Sequence, residues 1–317
     1  MRRPERKEQN GRGVEARPAR ARRVGVGRWL KRAGVWCAVC VLMAPVRVLP
    51  LPALRRFAAG VAWVVRGLTY RRQRMVEQNL IAVFGDRLTP AQRRRIRVES
   101  VRNICKTMAE LVKMRWLTPD ELRRQMSYEG VEHLDAALAR GKGAILVTAH
   151  FGSWELGGGL LGVLGYPVNV IARDANDGFT RKVINRARES KGVRVLGRSD
   201  LPRMLRALKN NEILAILPDQ HAVEGAVRVP FLGRPAQTPS GPALLSLRTG
   251  APILPVFSYR QPDDHIYCRV LPPLQYTPTG NRDTDVVELT RLMNEAIGRE
   301  ILAHPEQWLW LHRRWRD

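Results

Sequence analysis

Four short runs of almost uninterrupted apolar residues constrain this chain more than any other feature. They lie at 144–149 (AILVTA), 168–172 (VNVIA), 212–217 (EILAIL) and 252–257 (PILPVF), separated by segments with helical patterning. Runs of this length bounded by turn residues and rich in β-formers are strands. A strand with one wet face alternates apolar and polar residues, and these do not. Both of their faces must therefore be covered, which is the condition of parallel strands packed between helices. Helices are expected at 90–114, opening on Thr89-Pro90 as a cap with proline at the first position, and at 119–125, 178–191 and 240–248. The fold expected is α/β, a largely parallel central sheet with helices on both faces.

Ligands of such sheets bind beyond the carboxyl ends of the strands. Those ends carry His150, Arg173 and Asp219, with Gln220 beside the last. If the strands are parallel neighbours, these side chains converge. Glu155 stands five residues after His150. In one continuous helix five residues turn about 500°, which leaves the two side chains roughly 140° apart. The pair can meet only if His150 lies in the loop after its strand and Glu155 in the first turns of the next helix, with Ser153 as its cap. A carboxylate on one ring nitrogen would fix the tautomer and raise the basicity of the other, making His150 a general base with Glu155 as its orienting partner. The amide groups at the helix start would face a developing oxyanion.

The charge balance narrows the partners. Of 317 residues, 54 are Lys or Arg and 29 are Asp or Glu, a net of +25, so an anionic partner is expected. Residues 1–34 hold twelve Lys/Arg against three Glu and form a basic flexible arm. Between 35 and 54 Arg47 is the one charged residue, which gives a stretch long enough to cross a bilayer, but Pro45, Pro50 and Pro52 interrupt it. A second apolar patch covers 57–65. Residues 35–66 are thus expected to be a membrane anchor, either one short helix or a re-entrant, interfacial pair that meets an anionic membrane surface. A buried soluble hairpin is the alternative. The prolines and the arginines at 71, 72 and 74 argue against a cleaved signal peptide. Residues 67–317 would be the catalytic domain. Nucleic acid is not an expected partner, because the basic residues are spread along the chain and form no recognisable module. Cys37 and Cys40, inside an apolar run with no second pair, are expected to be packed thiols.

The stretch VTAHFGSWELGG at 147–158 closely resembles the active-site block of the bacterial lipid A (lauroyl/myristoyl) acyltransferases, within the wider glycerolipid acyltransferase superfamily. Arg71, Arg72, Gln73 and Arg74 with Glu77, Gln78, Asn79 and Leu80 resemble the stretch after that family's anchor. Arg173-Asp174 with Asn185-Arg186 is similar to its second polar block. Pro218-Asp219-Gln220 with VPFLG at 229–233 is similar to its third, and PEQWLWLHRRW at 305–315 to its C-terminal signature. The resemblance implies acyl transfer from an acyl thioester, on acyl carrier protein or coenzyme A, to a hydroxyl of a membrane glycolipid, first of all a lipid A precursor. It implies direct attack without an acyl-enzyme, His150 and Glu155 as the catalytic pair, and Arg173, Arg186, Asp219 and Gln220 around the substrate. Arg173 and Asp219 could equally form a structural ion pair. The resemblance places the catalytic domain on the cytoplasmic face of the inner membrane. A phosphatidylinositol mannoside or another glycolipid or aminolipid is the alternative acceptor; a non-enzymatic basic membrane- or nucleic-acid-binding protein is the alternative of another class. No GxSxG, HExxH, Walker or dinucleotide motif occurs, so neither metal nor cofactor is expected. The tail tryptophans are expected to be packing anchors or to sit at a membrane interface.

Overall fold

The apolar runs become adjacent parallel strands. The computed structural model describes residues 44–172 and 178–315. Its main sheet has seven strands among the described residues: β1 (Met126–Glu129), β2 (Ala144–Val147), β3 (Val168–Ala172), β4 (Arg194–Gly197), β5 (Ile213–Ile216), β8 (Ile253–Arg260) and β9 (Ile266–Val270), in the order β1-β9-β8-β2-β5-β3-β4. Every pairing is parallel except that of β8 with β9. A separate antiparallel hairpin of β6 (Ala226–Phe231) and β7 (Arg234–Pro239) follows β5.

Both faces of the sheet are covered, as the unalternating runs require. Along β2, Ala144 and Leu146 join a core that includes helices α3 (Pro90–Lys113), α4 (Pro119–Arg124), α5 (Val131–Leu138), α6 (Trp154–Val163) and α7 (Gly178–Glu189). Ile145 and Val147 point into a second core with α8 (Leu201–Lys209), α9 (Gly241–Thr249) and α10 (Arg282–Ala303). The start of α3 is fixed by a capping box, in which Thr89 accepts from the Gln92 amide and Gln92 accepts from the Thr89 amide. Thr118 and Glu121 do the same for α4.

A third core closes the carboxyl end of the strands. It gathers α2 (Tyr70–Phe84), Ala149 and Phe151 after β2, Phe231 and Ala236 of the hairpin, and Trp308 and Trp310 of the C-terminal tail. The tail runs antiparallel beside the turn that follows β2. Gly152 donates to the Gln307 carbonyl at 3.0 Å, and Leu309 donates to the His150 carbonyl at 3.1 Å. The turn needs glycine at 152, where φ is +55° and an added Cβ would sit 1.9 Å from the Ser258 carbonyl oxygen.

The basic arm expected at 1–34 lies outside the described residues, and the anchor expected at 35–66 is described in part. Residues 35–43, with Cys37 and Cys40, lie outside the described residues. Residues Leu51–Leu68 form one amphipathic helix, α1, that packs along α3 and buries Leu51, Leu54, Ala58 and Ala62. Among the described residues no helix is long and apolar enough to cross a membrane. The reason lies in the sequence of α1, where Arg55, Arg56 and Arg66 break the apolar run and Arg55 is drawn into the protein to pair with Glu110 at 2.6 Å. The outer face of α1 remains apolar, with Trp63 at 76% and Leu68 at 83% exposure and Val64 between them. Trp308 and Trp310 are buried, which makes them packing anchors and not interface residues.

Candidate active site

The register of β2 on β5 builds the site. Val147 pairs with Ile216, and the Thr148 amide still donates to the Ile216 carbonyl at 3.1 Å. His150 and Asp219 each stand three residues beyond that matched pair, so two adjacent strands deliver them at one level. Asp219 is 1% exposed and accepts three hydrogen bonds. Oδ1 accepts from His150 Nδ1 at 2.9 Å, and Oδ2 accepts from the His150 amide and from Trp308 Nε1, both at 2.9 Å. Gln220 Nε2 lies 3.5 Å from His150 Nδ1. With Nδ1 carrying the proton toward Asp219, Nε2 is the basic nitrogen, and the His150 side chain is 26% exposed.

Burial acts against both charges of this pair, and the pair overcomes it. Desolvation pushes the His150 imidazole down, but the Asp219 carboxylate and its hydrogen bond raise it above its ordinary value, with Glu155 adding to the rise and Arg188 opposing it. Desolvation likewise pushes the Asp219 carboxyl up, and His150 together with the Trp308 and amide donors holds it below its ordinary value.

Glu155 does not touch His150. Arg188 of α7 grips it with a two-pronged fork, Nη2 to Oε1 at 2.6 Å and Nε to Oε2 at 2.9 Å, and Trp154 Nε1 donates to Oε1 at 3.1 Å. The Trp154 ring in turn packs edge-on against the imidazole, with centroids 5.2 Å apart. The carboxylate expected to orient the base thus fixes its aromatic neighbour, and Asp219, expected among the substrate contacts, takes the imidazole. Glu155 sits one residue into α6, where the helix carries its side chain toward α7 and away from the strand-end loop. Ser153 precedes α6 but does not cap it, because its hydroxyl donates to Glu110 Oε2 at 2.7 Å.

Arg186 is exposed and does not join this cluster. On a helix, residues two apart lie about 200° apart, so only one of Arg186 and Arg188 can face Glu155, and it is Arg188. Arg173 lies outside the described residues, directly after the carboxyl end of β3. Trp154, Arg188 and Trp308 were not singled out as site residues from the sequence. Trp308 carried a usable signal, since a buried indole N–H demands an acceptor. Arg188 carried none that separates it from the other arginines of α7.

The split of roles between the two carboxylates has a measurable consequence. Glu155→Gln keeps an acceptor for Trp154 but leaves the Arg188 guanidinium without its counter-charge, which costs about 3 kcal/mol of stability, the low end for a buried pair broken from one side. Denaturant unfolding of the variant checks this, and the acid limb governed by His150 should move to lower pH by less than it does when the Asp219 carboxylate is removed.

The family model described as bacterial lipid A biosynthesis acyltransferase matches residues 26–317. The chain is 30% identical over 285 residues to the lipid A biosynthesis palmitoleoyltransferase of Escherichia coli K12, covering 89% of this chain and 90% of that one. It is 29% identical to the lipid A biosynthesis lauroyltransferase of the same organism, with the same coverage. A phosphatidylinositol mannoside acyltransferase of Mycobacterium tuberculosis is 29% identical over 297 residues, 90% of this chain and 88% of that one. With a match over nearly the whole length, this chain belongs to the bacterial lipid A biosynthesis acyltransferase family and is an acyltransferase.

Proposed function

We propose that the chain moves a fatty acyl group from a thioester, on acyl carrier protein or coenzyme A, to a hydroxyl of a membrane glycolipid, a lipid A precursor, without an acyl-enzyme. The observation that carries this reading is the buried Asp219–His150 pair, which leaves Nε2 as a base of raised affinity for protons at the mouth of the strands. In this reading Nε2 takes the proton of the acceptor hydroxyl as its oxygen attacks the thioester carbonyl. Asp219 stabilises the imidazolium. The tetrahedral oxyanion then collapses, the C–S bond breaks, and the leaving thiolate receives the proton from Nε2. The amides of Phe151, Gly152 and Ser153 are already committed to the carbonyls of Ala149, Gln307 and Ser258. Donors for the oxyanion therefore come from the first turn of α6, whose amides have no partners within the helix.

Arg173, the next residue in the sequence after β3, is assigned to an anionic group of donor or acceptor, for which a guanidinium fork is suited. Gln220 lies close enough to the imidazole to contact a bound hydroxyl. The acceptor follows the two Escherichia coli relatives. The mycobacterial relative supports a phosphatidylinositol mannoside as the second reading.

The substrate is a lipid, and we assign the outer face of α1 to the surface of the cytoplasmic face of the inner membrane. Trp63, Val64 and Leu68 would enter the headgroup boundary, with Arg56 and Arg66 meeting anionic lipid.

Activity and vesicle-binding assays test these assignments. His150→Ala should lose about 10²–10⁴-fold of the rate in an assay that offers both acceptors and weighs products by mass spectrometry; activity within a few-fold of wild type contradicts the base. Since the imidazole must be neutral to act, activity falls as pH drops through its raised pKa. Asp219→Asn removes the main cause of that rise, so it should lower kcat and move the acid limb of kcat/KM to lower pH. For the membrane face, vesicles with anionic lipid should retain wild-type protein in high salt, because apolar insertion is not screened. Trp63→Ser with Leu68→Ser should weaken sedimentation with those vesicles about 10²–10⁴-fold, at roughly 1.5–3 kcal/mol per buried side chain. Full release by salt contradicts this assignment.

A further inference from the structure

Glu110 of α3 is wholly buried and carries two arginines. Arg55 of α1 donates to Oε1 at 2.6 Å, and Arg260 at the end of β8 donates to Oε1 at 2.7 Å and to Oε2 at 2.8 Å. Burial alone would push this carboxyl up; the two guanidinium groups, Arg260 foremost, and the Ser153 hydroxyl bring it down to about 2. A buried ion cluster of this kind is weak support for stability as such, since apolar side chains of similar volume often replace one at no cost. What distinguishes it is where its remaining hydrogen bonds go.

They go to the turn that carries His150. Arg260 Nε donates to Asn103 Oδ1 at 2.8 Å, which fixes the amide so that Nδ2 donates to the carbonyls of Gly152 at 3.0 Å and Gln307 at 3.1 Å. Arg260 Nη2 approaches Thr107 Oγ1 at 3.3 Å, which turns that hydroxyl's own proton to the Gly152 carbonyl at 2.9 Å. Glu110 Oε2 takes the Ser153 hydroxyl at 2.7 Å and keeps it off the amides of α6. Gln307 closes the loop, accepting from the Arg260 amide at 2.8 Å and donating to the Arg260 carbonyl at 3.1 Å. Apart from Arg55 Nη1, which donates to Gln125 at 2.9 Å, and the approach of Arg260 to Asp264 at 3.6 Å, these links end on residues 152 and 153 or on the tail strand beside them.

We propose that Arg260, Glu110, Asn103 and Thr107 are positioning residues for acyl transfer, which hold the 150–153 turn so that His150 Nε2 and the first-turn amides of α6 keep one fixed relation. None of them reaches the reacting atoms. Arg260 sets the direction of both side-chain donors to the Gly152 carbonyl, and Glu110 holds Arg260. Through Arg55 the same carboxylate ties the turn to α1, so the base stands at a fixed place relative to the helix assigned to the lipid surface. The inference rests on His150 acting as the base, as proposed above.

Thr107→Val removes the hydroxyl at nearly constant shape, Thr107→Ser restores it, and Arg260→Lys keeps the charge but loses the fork. Each full-length variant is assayed in detergent micelles with an acyl thioester and glycolipid acceptor, well below its melting temperature and beside His150→Ala. Small misplacements of a catalytic group cost up to about a hundredfold in rate. The expected result is a kcat lowered about tenfold in Thr107→Val and about a hundredfold in Arg260→Lys, with Thr107→Ser near wild type. Both KM values and the acid limb of the pH profile should stay in place, because the Asp219–His150 pair is intact. If Thr107→Val and Arg260→Lys melt lower but turn over at the wild-type rate while His150→Ala is inactive, the cluster is structural and the positioning role is wrong. If His150→Ala is itself active, the base assignment falls first, and the positioning role with it.

Discussion

A carboxylate that is 1% exposed and accepts from the imidazole, the amide of the same histidine and a buried indole is the constraint on which the site depends. Ionised carboxylates are not buried without such donors, since desolvation would otherwise neutralise them. Asp219 can remain charged only because His150 and Trp308 reach it. Those two residues reach it only because β2 and β5 are parallel neighbours in matched register and because the tail runs alongside the turn after β2. The central sheet, the tail and the chemistry are therefore one arrangement. Loosening the tail would expose Asp219 and release the imidazole together.

The same economy appears one layer out. Glu155 and Glu110 are both buried carboxylates beside the turn, and each is neutralised by arginine from another element, Arg188 from α7 for one and Arg55 and Arg260 for the other. Of the three buried carboxylates around this turn, Asp219 and Glu155 act on the imidazole and Glu110 meets the turn through Ser153. Pairing two of them with guanidinium leaves Asp219 as the one whose charge is answered mainly by the imidazole.

Much of this was legible in the sequence, and what was not has a physical cause. The strands β2, β3, β5 and β8 follow from runs that do not alternate, and the helix start at Thr89 from its cap and the proline after it. The convergence of His150 and Asp219 follows from parallel strands ending in polar residues. The partner of His150 was not legible. Five residues of spacing made Glu155 a candidate, but only the strand order makes Asp219 the nearer carboxylate, and strand order is a long-range property. Ser153 looked like a helix cap because its local sequence fits one; a residue forty-three positions away takes its hydroxyl instead. Arg186 and Arg188 are indistinguishable until the face of α7 is known. The apolar stretch before residue 66 has the composition of an anchor, yet Arg55 shows how a single buried ion pair binds such a helix to the protein as well.

Nitrogen-15 spectroscopy of the histidine ring tests the central claim most directly. With the full-length protein in detergent micelles labelled at histidine, and His150→Asn used to assign its signals, the His150 ring should be the tautomer protonated at Nδ1. It should titrate above the ordinary imidazole value, and Asp219→Asn should lower that titration further than Glu155→Gln does. A ring protonated at Nε2, or one whose titration responds to Glu155 and not to Asp219, would contradict the account.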